Sequence, residues 1–65
     1  MEYYEQSEDL LEIKEAIKKG LKCYSPGWNR AHSVRRRKVT TPMLEIKTVY
    51  GEWISVEYVQ IERGQ

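Results

Sequence analysis

Between Ser7 and Leu21 the apolar residues Leu10, Ile13, Ile17 and Leu21 recur at helical spacing, with Ala16 at the margin of the stripe. The spacing predicts an amphipathic helix over residues 8–19. Ser7 is placed to cap its first turn, with Glu8 and Asp9 facing the positive end of the helix dipole. Lys18 and Lys19 suit the negative end, and Gly20 can take the left-handed conformation that stops a helix. Tyr3 would extend the same stripe if the helix began earlier.

After Gly20 the period shortens to two. LKCY (residues 21–24) can start a strand, and SPGWN (25–29) is a turn, with Pro26 presetting φ and Gly27 available for a positive φ. Residues 33–40 read as a basic strand that Thr41-Pro42 would break. MLEIKTVY (43–50) and the run 53–62 read as an antiparallel hairpin around Gly51. A three-residue connection sets Thr48 opposite Ile54, Ile46 opposite Val56 and Leu44 opposite Tyr58, giving one apolar face for the helix to cover. Trp53, Val59 and Ile61 alternate to the other side, as expected if the hairpin bends into a barrel or meets another chain.

These elements predict a single α+β domain over residues 1–65: an N-terminal amphipathic helix packed on a three- or four-stranded, mostly antiparallel sheet or small barrel. The basic strand is expected beside MLEIKTVY, at a sheet edge. In its order of elements the chain resembles SH3-like and Sm-like barrels preceded by a helix, but it carries no family motif.

Composition narrows the means of stabilisation. A chain of 65 residues has room for one marginal core. Cys23 is its only cysteine, so no disulfide forms within the chain. One Cys and one His do not complete a zinc site. No metal or cofactor is expected, and self-association into a homo-oligomer is a further means of support. No apolar run has the length of a membrane span or signal core, and a lone thiol fits a reducing cytoplasm.

Charge changes the picture most. Residues 1–20 carry six acids against three bases, residues 42–65 carry four acids against two bases, and residues 21–41 carry six bases and no acid. The net charge of +1 hides this block. In SVRRRKVTT (33–41) a strand would send Arg35 and Arg37 to one side and Arg36 and Lys38 to the other, leaving no face suited to a core. Edge strands use such charges to discourage aggregation, but one or two suffice for that.

Four consecutive cations, with Lys22 and Arg30 nearby, have the charge footprint of a phosphate-binding strip. Tyr24, Trp28 and His32 interleave with them at a spacing that could stack on bases. DNA or RNA is therefore the expected partner, contacted by Lys22, Tyr24, Trp28, Arg30, His32, Arg35, Arg36, Arg37 and Lys38. The alternative is a protein-interaction module or inhibitor whose basic strand docks on an acidic protein surface. Catalysis is not expected. His32 has no acidic neighbour in sequence, with Glu45 and Glu57 as distant candidates, and Cys23 reads as a small buried hydrophobe rather than a nucleophile.

Overall fold

A computed structural model describes residues 3–37 and 43–64. Its elements run β1 (Tyr3–Ser7), α1 (Leu10–Lys18), β2 (Cys23–Tyr24), β3 (Ser33–Arg37), β4 (Met43–Lys47), β5 (Trp53–Val56) and β6 (Val59–Arg63). The class is α+β with antiparallel pairing throughout. Two three-stranded sheets, ordered β1-β6-β2 and β3-β4-β5, stand where one sheet was expected. The basic strand β3 does lie at an edge beside β4.

The chain opens with a strand rather than the helix. Tyr3 and Tyr4 belong to β1, which pairs with β6 from Tyr3↔Arg63 to Ser7↔Val59. Ser7 is buried at the end of that strand, and its hydroxyl accepts from the Asp9 N–H at 3.2 Å. The helix cap passes to Asp9, whose Oδ1 accepts from the N–H groups of Leu11 (2.9 Å) and Glu12 (3.2 Å).

At the other end, Gly20 takes φ +85°. Its N–H donates to Ile17 O, and the Leu21 N–H donates to Ala16 O, each at 3.0 Å. These are the two bonds of a Schellman stop, which turns the chain into β2.

Two three-residue loops share one geometry. In the β4–β5 hairpin the Thr48 N–H donates to Glu52 O (2.8 Å) and the Gly51 N–H to Thr48 O (2.9 Å), with Gly51 at φ +81°. After β2, the Ser25 N–H donates to Asn29 O (2.9 Å) and the Trp28 N–H to Ser25 O (2.8 Å), with Trp28 at φ +63°. The left-handed third position is where such loops favour glycine. Gly27, expected to supply the positive φ, does not; Trp28 does.

The need to seat Gly51 at that position also sets the hairpin register. Its loop is residues 49–51, so Ile46 faces Ile54 and Leu44 faces Val56. This register lies two residues from the expected one; Leu44, Ile46, Ile54 and Val56 still face inward, while Tyr58, expected opposite Leu44, falls beyond the end of β5.

One buried cluster joins the elements: Ile13 and Ala16 of α1, Cys23 of β2, Ala31, Val34 of β3, Leu44 and Ile46 of β4, Val56 of β5, and Val59 and Ile61 of β6. Each fully buried isoleucine contributes about 1.5–3 kcal/mol through its removal from water. The predicted continuous strand over 53–62 is broken at Glu57-Tyr58, where the chain leaves one sheet for the other. Inward positions change there from even numbers (Ile54, Val56) to odd ones (Val59, Ile61). Of the apparent second apolar face of the hairpin, Val59 and Ile61 are the inner face of the other sheet, while Trp53 stays on the outer face of β5 beneath Arg35.

Candidate nucleic-acid interface

The residues singled out for polyanion binding separate into two groups, one on each sheet. On the β1-β6-β2 sheet, Cys23 and Ile61 are opposed and buried, which turns Tyr24 and its partner Gln60 outward. The β2 hairpin continues through a Tyr24↔Arg30 bridge, so Arg30 stands beside Tyr24 on that outer face. Tyr4, opposite Glu62, shares it.

Trp28 completes the group. Its ring centroid lies 5.3 Å from that of Tyr4 and 5.8 Å from that of Tyr24, and the two tyrosines are 6.1 Å apart. The three rings form a triangle, with Tyr4 meeting both partners edge-to-face. The Tyr4 hydroxyl donates to Glu62 Oε2 at 3.1 Å, which fixes its ring across the sheet. Even so, Trp28 is 55% exposed and Tyr4 44%. Lys22, also exposed, is two residues before Tyr24 and accepts the Glu62 N–H on its carbonyl at 2.8 Å.

Arg30 is half-buried, and its Nε is a buried donor with no hydrogen-bond partner. A buried unpaired donor is costly unless water or a ligand meets it. Tyr4 was not among the expected contacts, because it lies outside the basic segment of residues 21–41. The β-forming pair Tyr3-Tyr4 ahead of a polar Glu-Gln-Ser stretch was the available signal of a strand.

The second group is on β3. Val34 faces inward opposite Ile46 and is buried, so one face of the basic strand does reach the core. Arg35 points to the other side, where its Nε donates to Glu45 Oε1 at 2.9 Å. Its guanidinium carbon also lies 3.9 Å from the Trp53 ring centroid. Glu45 is only 4% exposed, so Arg35 neutralises an internal carboxylate and roofs Trp53. That role is structural, although the side chain remains half in solvent.

Arg36 is exposed, opposite Leu44. Arg37 ends β3, paired with Met43, and Lys38 lies outside the described residues. His32 is exposed just before β3, in a cleft against α1, apart from the ring triangle.

Cys23 is fully buried, and its Sγ donates to Leu21 O at 3.7 Å. Burial holds its thiol above the ordinary cysteine pKa, although the nearby Arg30 and Arg63 charges pull the other way. It is therefore an inert thiol at neutral pH. Among the described residues no cluster of three or more His, Cys, Asp or Glu side chains is poised for a metal. No helix there is long and apolar enough to cross a membrane. No known protein family, curated protein or solved structure matches this chain.

Proposed function

We propose that this chain is a non-enzymatic nucleic-acid-binding protein that takes single-stranded DNA or RNA on the outer face of its β1-β6-β2 sheet. The carrying observation is the half-exposed triangle of Tyr4, Tyr24 and Trp28, flanked by Lys22 and Arg30. Rings of this kind stack on unpaired bases whatever their sequence, while neighbouring cations hold the phosphates.

The backbone at Trp28 supports the same reading. A bulky residue in the left-handed region is strained by about 1 kcal/mol or more, and the equivalent loop position elsewhere in the chain is Gly51. Arg36, Arg37 and Lys38 extend the positive charge along the chain and add phosphate contacts. We further take the two sheets as the walls of a small open barrel, because the run from Trp53 to Arg63 contributes a strand to each.

Fluorescence anisotropy with labelled single-stranded and duplex DNA and RNA tests the reading across a salt series. Log K for a single strand should fall with log salt by about 0.7 per phosphate contact. Trp28→Gly suits the local φ and should leave the circular dichroism spectrum unchanged, while removing a stacking surface worth about 1–3 kcal/mol. Absence of binding at low salt, or wild-type affinity in Trp28→Gly, sinks the assignment.

The exposed Arg36 on an edge strand favours a second reading, in which β3 docks on an acidic protein surface. That reading requires a partner retained after nuclease treatment and lost in Arg36→Ala/Arg37→Ala.

A further inference from the structure

Lys14, Ile17 and Lys18 share one side of α1, since positions three and four apart lie over one another on a helix. Among the described strands, α1 packs most extensively against β3. Between them opens a cleft of about 230 Å³, lined by Lys14, Ile17, Lys18, His32, Ser33 and Val34. Val34 is buried and Ile17 half-buried, so the floor is apolar. Lys14, Lys18, His32 and Ser33 are exposed around it.

No side chain among these four makes an ion pair or hydrogen bond with another described residue. No carboxylate lines the cleft either. Two ammonium groups one turn apart repel each other, by a few tenths of a kcal/mol on an exposed helix. An anion set between them would turn that repulsion into two attractions. The His32 ring, just before the facing strand, adds a directional group, and Ser33 borders the cleft beside it.

We propose that this cleft binds a phosphate monoester carried on an apolar or flat body, with a mononucleotide as the fitting size. The phosphate is held between Lys14 and Lys18, within reach of His32, and the body rests over Ile17 and Val34. The volume is below the usual 300–1,000 Å³ of sites for larger small molecules, so a phosphate with its sugar and part of a base fills it. None of these residues belongs to the ring triangle, so the cleft and the stacking face stand or fall separately. The same chemistry is available in a free nucleotide and in the 5′-phosphate end of a strand.

Amide NMR titrations with 5′-AMP, adenosine and inorganic phosphate test the proposal. 5′-AMP should shift the amides of Lys14, Lys18, His32 and Ser33 saturably at millimolar concentration, and adenosine should not. Lys14→Gln/Lys18→Gln should weaken 5′-AMP by about tenfold or more, the scale of about 1.4 kcal/mol. Glutamine is a good helix former and both sites are exposed, so the remaining spectrum should be unchanged.

Equal affinity for adenosine, equal affinity for inorganic phosphate, or undiminished binding by the double variant overturns the proposal. A short oligonucleotide with a 5′-phosphate binding the cleft more tightly than 5′-AMP assigns the site to a strand end. Equal affinity of the 5′-phosphorylated oligonucleotide and 5′-AMP assigns it to the nucleotide.

Discussion

Replacing Arg35 with alanine should unsettle the fold, whereas the same change at its neighbour Arg36 should not. Glu45 is 4% exposed, and its Oε1 accepts from Arg35 Nε at 2.9 Å. Removing one partner of a fully buried pair costs about 3–5 kcal/mol, and of a fully exposed pair about 0–1 kcal/mol. Here the carboxylate is buried while the Arg35 side chain is 51% exposed, so solvent screens the pair in part. An intermediate loss of about 2 kcal/mol follows.

Loss of the guanidinium from above Trp53 adds about 0.5–1 kcal/mol, giving roughly 2–3 kcal/mol in all. A domain of this length holds only about 3–10 kcal/mol of stability, so the variant should melt roughly 8–24 °C lower. Arg36→Ala removes an exposed side chain and should stay within about 0.5 kcal/mol of the parent. Urea unfolding followed by circular dichroism measures both, with an unchanged slope marking the same folded and unfolded states. A double-mutant cycle with Glu45→Gln should return a coupling of about 1–2 kcal/mol. If Arg35→Ala proves no more harmful than Arg36→Ala, the division of the basic strand into a structural and an exposed arginine is wrong.

Gly51→Ala meets nothing within 4 Å of the added carbon, so its effect is conformational alone, a loss of about 1 kcal/mol from holding alanine at φ +81°. Thermal melting that shows no loss contradicts the loop geometry and the register that follows from it. For Cys23 the raised thiol pKa means that the native state holds its proton more tightly than the unfolded chain. The associated stability is complete below the unfolded value and is lost as pH rises through the folded one. Stability of the parent should therefore fall more steeply than that of Cys23→Ala above about pH 9 in urea melts, and matching slopes refute the burial argument.

The local signals in the chain were enough for the helix stripe, its stop at Gly20, the four later strand regions, the antiparallel hairpin and the place of the basic strand at an edge. Each rests on residues near one another in sequence: apolar spacing, a left-handed glycine, alternation bounded by turns. Even the parity of Ile46, Ile54 and Val56 was legible, because a shift of two residues leaves every side chain on its own face. In the candidate site, Lys22, Tyr24, Trp28 and Arg30 were legible as chemistry but not as a surface.

What the tertiary structure decided depends on partners distant in sequence. Tyr3–Ser7 became a strand because β6, more than fifty residues away, offers it an edge, and that pairing moved the helix cap from Ser7 to Asp9. The run from Trp53 to Arg63 divided between two sheets because one continuous strand would place Val59 and Ile61 on the face opposite Ile54 and Val56. A break at Glu57-Tyr58 lets both pairs reach the core. Arg35, identical in composition to its neighbours, was drawn into the fold by a buried carboxylate on β4. Local sequence sets which way a side chain can point; only the assembled neighbours set what it meets there, since burial and charge pairing are properties of the packed chain.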